Sequence, residues 1–132
     1  MFNRTMVLIA SLLMMVAVVV SACGPGGGSS GGTGGAEGQT VSVEGSEFAY
    51  VPNEITATPG ERVTVNFKNA GTVEHTFVIK DINFKLTAQA GQTVSGSFTA
   101  PSTPGSYEIH CDIAGHTEAG MIGKLNVVAA NN

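Results

Sequence analysis

The sequence predicts an all-β domain: a sandwich or small barrel of about seven or eight short strands within about 90 residues. Three observations lead there. From Thr40 onward, apolar side chains recur at every second position, which puts them on one face of an extended chain. The runs are separated by Pro59-Gly60, Ala70-Gly71, Ala90-Gly91 and Pro104-Gly105, which are turn-forming pairs. No stretch after residue 40 carries an apolar stripe at helical spacing.

The residues ahead of that domain are of a different kind. Arg4 is followed by the apolar run Met6–Val20 and then by Ser21-Ala22-Cys23. A positive charge, a 15-residue apolar run and small residues before a cleavage point describe a secretory signal. Val20-Ser21-Ala22-Cys23 resembles a bacterial lipobox, in which the chain is cut before the cysteine and the cysteine carries the lipid. Residues 1–22 are therefore expected to be a lipoprotein signal peptide, with Cys23 the lipidated residue. An uncleaved membrane helix is the competing reading, although 17 residues from Met6 to Ala22 are short for a span. Both readings place the domain outside the cytoplasm, at the extracytoplasmic (periplasmic) face of the cell membrane.

Between Cys23 and the domain, nine of the 15 residues Gly24–Gly38 are glycine, and none is large and apolar. Such a tract builds no core. Residues 23–39 read as an anchor and flexible linker spanning about 20–25 Å. Residues 40–132 form the expected domain.

The full chain has 6 Lys and Arg against 10 Asp and Glu. Removal of Arg4 with the signal leaves a net charge of −5 (5 − 10). That argues against nucleic acid, which needs a basic face, and is compatible with a cationic protein partner. There are two cysteines. A disulfide between them is disfavoured, because Cys23 belongs to the anchor and Cys111 lies among other soft donors.

Taken in order, the expected strands are these. TVSVE alternates Val41 and Val43. RVTVNFKN alternates Val63, Val65 and Phe67. EHTFVIK places His75, Phe77 and Ile79 on one parity. QTVSGSFTA offers Val94 and Phe98. GSYEIHC puts Tyr107, Ile109 and Cys111 on one face, with His110 on the other, toward water. KLNVV alternates Leu125 and Val127.

The chemistry is concentrated in HCDIAGHTEAGM, residues 110–121. Four residues separate Cys111 from His116, and four more separate His116 from Met121. Alone, each donor has an ordinary explanation: a core histidine, a free thiol, a methionine filling a gap. Together they form a set, to which strand parity adds an inward His75. Two His, one Cys and a weak axial Met are the ligands of blue-copper electron-transfer sites. Zinc favours more thiolate, or imidazole with carboxylate, and has no use for the thioether. Gly115 and Gly120 precede two of the donors, where tight backbone turns are expected.

Residues 40 to 128, including FAYVPNEITATPGERVTVNFKNAGTVEHTFVI and the loop above, resemble the cupredoxins of the plastocyanin/azurin family. The resemblance implies a Greek-key β-sandwich with one type 1 copper ion at one end, cycling between Cu(I) and Cu(II). It implies His75, Cys111, His116 and Met121 as ligands. The four-and-four loop is similar to that of the auracyanins, membrane-associated proteins of filamentous anoxygenic phototrophs. The resemblance further implies that the His116 edge conducts the electron, within an apolar rim of Ile113, Ala114, Ala119 and Ile122. Thr76 departs from the asparagine common after the first ligand, and Ala114 from a common proline; both leave the hydrogen bonds around the site open.

The expected function is thus a membrane-tethered, monomeric electron carrier of a photosynthetic or respiratory chain, not an enzyme. Its expected partners are redox proteins such as membrane cytochrome complexes or c-type cytochromes. A copper enzyme would need further histidines, and only His110 remains. A Cys111 nucleophile with His116 as base leaves His75 and Met121 without a role. A carrier that delivers or stores copper is the alternative, and a metal-free structural sandwich the third class.

Overall fold

The computed structural model describes residues 38–130, and its described part is nearly all β. The expected signal peptide, the lipidated Cys23 and almost all of the linker lie outside the described residues. The strands are β1 (Gln39–Ser46), β2 (Ala49–Val51), β3 (Glu54–Ala57), β4 (Arg62–Asn69), β5 (His75–Ile79), β6 (Phe84–Ala88), β7 (Thr93–Thr99), β8 (Gly105–His110) and β9 (Ile122–Val127). A single 3-10 turn, Lys80–Ile82, joins β5 to β6. Nine strands among the described residues exceed the expected seven or eight. Those missed by alternation are short: three residues in β2, four in β3 and five in β6.

The strands form two sheets, in the orders β2-β1-β4-β7 and β3-β9-β8-β5-β6. The chain changes sheet repeatedly, as a Greek-key sandwich requires. Strands β1 and β4 pair in parallel, with Val41 beside Val65 and Val43 beside Phe67. Strands β3 and β9 are also parallel. β5 runs antiparallel to both β6 and β8, and β8 antiparallel to β9. This topology brings the C-terminal ends of β1, β4 and β8 to one end of the sandwich. The N-terminal ends of β5 and β9 meet them there.

Alternation accounts for the core. In β4, Val63, Val65 and Phe67 are buried, and the same phase continues to Asn69. Phe77, Ile79, Ile109, Leu125 and Val127 face them from the second sheet. Each of these larger apolar side chains contributes about 1.5–3 kcal/mol on burial. Below the loop end lies an aromatic cluster, with Tyr50–Phe77 ring centroids 5.6 Å apart and Phe67–Phe77 5.8 Å apart.

Two parities differ from the simple rule. All of β5 is buried, including Thr76 and Val78 on its outward phase. The strand has neighbours on both edges, and the Asp112 side chain reaches the outward face at Thr76. His110, expected to face water, retains only 18% side-chain exposure, and its Nδ1 is buried without a hydrogen-bond partner. Val78 stands beside it in the register.

Candidate metal centre

Three of the four expected donors meet at the loop end of the sandwich. One ligand atom each from His75, Cys111 and His116 lie within 4.8 Å of one another. His75 Nδ1 is 3.2 Å from His116 Nδ1, and Cys111 Sγ is 3.4 Å from that same nitrogen. His75 and Cys111 are fully buried; His116 is half-buried.

The loop between β8 and β9 is built to return twice to one point. The His116 amide donates to the Ile113 carbonyl (3.0 Å), which closes the first turn. The Met121 amide donates to the His116 carbonyl (3.0 Å), and the Cys111 amide to the Met121 carbonyl (3.3 Å). The Thr117 hydroxyl adds a 2.6 Å bond to the Cys111 carbonyl. Gly115 and Gly120 take φ of +86° and +104°, conformations costly for a residue with a Cβ. The turns expected before His116 and Met121 are therefore present.

Met121, the fourth expected donor, is completely buried and tied by its backbone to both Cys111 and His116. Its methyl lies against β1: a Cβ on Gly45 would stand 3.2 Å from Met121 Cε and 2.7 Å from the Phe67 ring. Glycine at position 45 lets the strand approach this closely.

The electrostatics fit a cation. Burial, and then the neighbouring His116, hold His75 below the usual histidine range, so its imidazole is neutral. The other ring nitrogen, His75 Nε2, is buried with no hydrogen-bond partner, and Glu47 Oε1 stands 3.6 Å from it. A proton on Nε2 faces that carboxylate and frees the Nδ1 lone pair to point into the site. Two imidazole nitrogens and a sulfur then converge on one point. A metal ion satisfies all three at once.

Residues that alternation does not mark hold these donors in place. Asn69 is buried; its Nδ2 donates to the Val73 and Ala88 carbonyls (2.7 and 2.8 Å), and its Oδ1 accepts from the Gly71 amide (2.9 Å). It thereby fixes residues 70–74, which lead into His75. The Glu47 carboxylate accepts from the Thr72 amide (2.6 Å) and the Val73 amide (3.3 Å) from the other side. The Thr72 amide is the main cause of a Glu47 pKa lowered to about 2. The Tyr50 hydroxyl donates to the Thr76 carbonyl (2.5 Å), and burial raises its pKa well above the usual range. Phe48 covers His116, ring centroids 4.9 Å apart and edge-on, while staying 40% exposed. Asn69 could have been found in the sequence, as a polar residue on the inward phase of RVTVNFKN. Phe48 carries no such signal.

Thr76, where an asparagine is common, also makes the tie between ligand segments. Its amide points at Cys111 Sγ (3.4 Å), its hydroxyl donates to Asp112 Oδ1 (2.7 Å), and the Asp112 amide donates back to that hydroxyl (3.0 Å). Lys85 Nζ bonds the other carboxylate oxygen at 2.6 Å and holds Asp112 below the usual carboxylate range. The bridge is hydroxyl-based.

A two-sheet sandwich with a His-Cys-His group at one end defines a class, and the comparison with known families agrees. The cupredoxin-like domain model matches residues 8–125, and the chain belongs to that family. Among solved structures it is similar to dithionite-reduced auracyanin from Roseiflexus castenholzii, at 26% identity over 67% of this chain and 96% of that one, TM-score 0.61. It is similar also to auracyanin A, a "blue" copper protein of Chloroflexus aurantiacus, at 26% identity over 68% and 98% of the two chains, TM-score 0.59. The periplasmic domain of cytochrome oxidase subunit II from Bradyrhizobium japonicum shares the fold at 18% identity over 68% and 83%, TM-score 0.57. No curated protein sequence matches the chain.

Proposed function

We propose that this protein is a one-electron carrier in which His75, Cys111 and His116, with Met121 as a weaker fourth donor, would hold a single type 1 copper ion. The observation that carries the reading is the convergence of one ligand atom from each of His75, Cys111 and His116, within 4.8 Å, at one end of the sandwich. When bound, the copper supplies a Cu(I)/Cu(II) couple. The chain's own residues do the rest. Asn69 and Glu47 fix the segment before His75, and the closed turns of the 111–121 loop fix the other donors. Donors held this way move little when the charge at their centre changes. Cys111 binds as thiolate, so loading releases its proton.

His116, the one half-buried donor beside three buried ones, is where electrons would enter and leave a bound copper. Ala114 and Ala119 are exposed beside it, Ile113 is half-buried, and Ile122 is 40% exposed. A small apolar rim of this kind suits brief contacts with redox partners. The acidic balance favours cationic partners such as c-type cytochromes, or the donor and acceptor faces of membrane cytochrome complexes. We assign the chain to the outer face of the membrane, tethered at Cys23 and working as a monomer without enzymatic turnover. The lipobox-like sequence and the Gly-rich tract support the tether. Burial of Cys111 and Met121 argues against the copper-delivery alternative, which needs an exchangeable site.

The test is the visible spectrum and redox titration of the full chain loaded with Cu(II). Intense visible absorption that bleaches and returns reversibly, with copper retained, is expected. Absence of that band, or loss of the ion on reduction, overturns the proposal.

A further inference from the structure

The Thr76 hydroxyl has one proton and two acceptors. Asp112 Oδ1 lies at 2.7 Å and Cys111 Sγ at 3.5 Å. The nearer, charged oxygen takes the proton. Asp112 is held in position from both sides: its own amide donates to the Thr76 oxygen (3.0 Å), and Lys85 Nζ binds Oδ2 (2.6 Å). The sulfur keeps the Thr76 amide at 3.4 Å. Asp112 and Lys85 are both partly exposed, so a surface ion pair sits two hydrogen bonds from the buried sulfur.

We propose that the Lys85–Asp112 pair sets the redox potential by withholding the Thr76 hydroxyl proton from the Cys111 sulfur. Lys85 and Asp112 are thus positioning residues that act through Thr76. The proposal rests on the copper reading above. A hydrogen bond to a ligating thiolate draws electron density from it, disfavours the oxidised ion and raises the potential. With Asp112 in place the sulfur lacks that second bond, and the potential stays low. Without a side-chain acceptor at 112, the hydroxyl turns to the sulfur.

Removing Asp112 also removes a negative charge, which raises the potential by itself. A cycle of variants separates the two effects. D112N loses the charge but keeps an amide oxygen for the Thr76 proton; D112A loses both. T76V and T76V/D112A repeat the change without the hydroxyl. All are compared as full chains loaded with copper. D112A should shift the potential upward by more than D112N, and its sulfur-to-copper absorption should move to shorter wavelength. The excess should vanish in the T76V background. In the copper-free chain, NMR should show a Thr76 hydroxyl proton slow to exchange in the wild type and in D112N, but faster in D112A.

Equal potential shifts in D112A and D112N, with no change in the absorption band or the hydroxyl exchange, overturn the proposal. That comparison does not depend on T76V folding. A wild-type chain that binds copper with a normal band, together with equal shifts in D112A and D112N, sinks only this inference. A wild-type chain that gives no such band sinks the copper reading and this inference with it.

Discussion

Replacing Asn69 by alanine removes a buried polar side chain that ties the segment ahead of His75 to the rest of the sandwich. The residue is fully buried, and three hydrogen bonds end on it: to the Val73 and Ala88 carbonyls and from the Gly71 amide. A hydrogen bond of this kind is worth about 1 kcal/mol net, and more where the abandoned partner stays buried. Three of them give a loss of about 3 kcal/mol. With a urea slope of about 1.5 kcal/mol/M for a domain of this size, the midpoint falls by about 2 M. The assay is equilibrium urea unfolding of the copper-free chain, followed by circular dichroism, with the slope checked for constancy. Loss should extend to the site, because Asn69 holds residues 70–74 ahead of His75; copper affinity should fall along with stability. A midpoint lower by less than about 0.5 M would refute the reasoning, since it would mean the three bonded groups find other partners.

Met121→Gln should retain copper, because three donors remain, and should lower the potential through a stronger axial oxygen; voltammetry that finds no change removes Met121 from the axial role. Phe48→Ala should cost about 1 kcal/mol from the edge-on contact with His116 and leave that imidazole more open to solvent; thermal unfolding and electron self-exchange measure the two effects. Glu47, whose pKa is lowered from 4.5 to about 2, stabilises the folded chain above pH 4.5, and that contribution disappears as pH falls through 2. The Tm gap between wild-type and Glu47→Gln copper-free chains should therefore narrow between pH 5 and pH 2, and a constant gap contradicts the assignment.

What alternation could show depended on how each strand is covered. In β4 one face meets the core and the other meets solvent, so Val63, Val65 and Phe67 are legible at once. β5 is covered on both faces, so the rule located His75 correctly but gave no hint that Thr76 and Val78 are buried too. β2, β3 and β6 are too short to establish a period. His110 kept its outward parity but lost most of its exposure, which local sequence does not reveal. The ligand loop was readable because Cys111, His116 and Met121 lie close together in sequence. The groups that support it come from afar: Glu47 and Phe48 from the β1–β2 turn, Lys85 from β6. Their roles arise from the antiparallel pairing of β5 with β6 and from the meeting of loops at one end. Neither leaves a mark on local sequence. The wholly local signal for the expected membrane anchor falls outside residues 38–130.

X-ray absorption at the copper edge, taken on the loaded chain in both oxidation states, bears most directly on a single centre kept nearly still by its scaffold. The expected result is two nitrogens and one short-bonded sulfur around one copper, with almost the same distances before and after reduction. A first shell without sulfur, a second metal nearby, or a ligand released on reduction would contradict it.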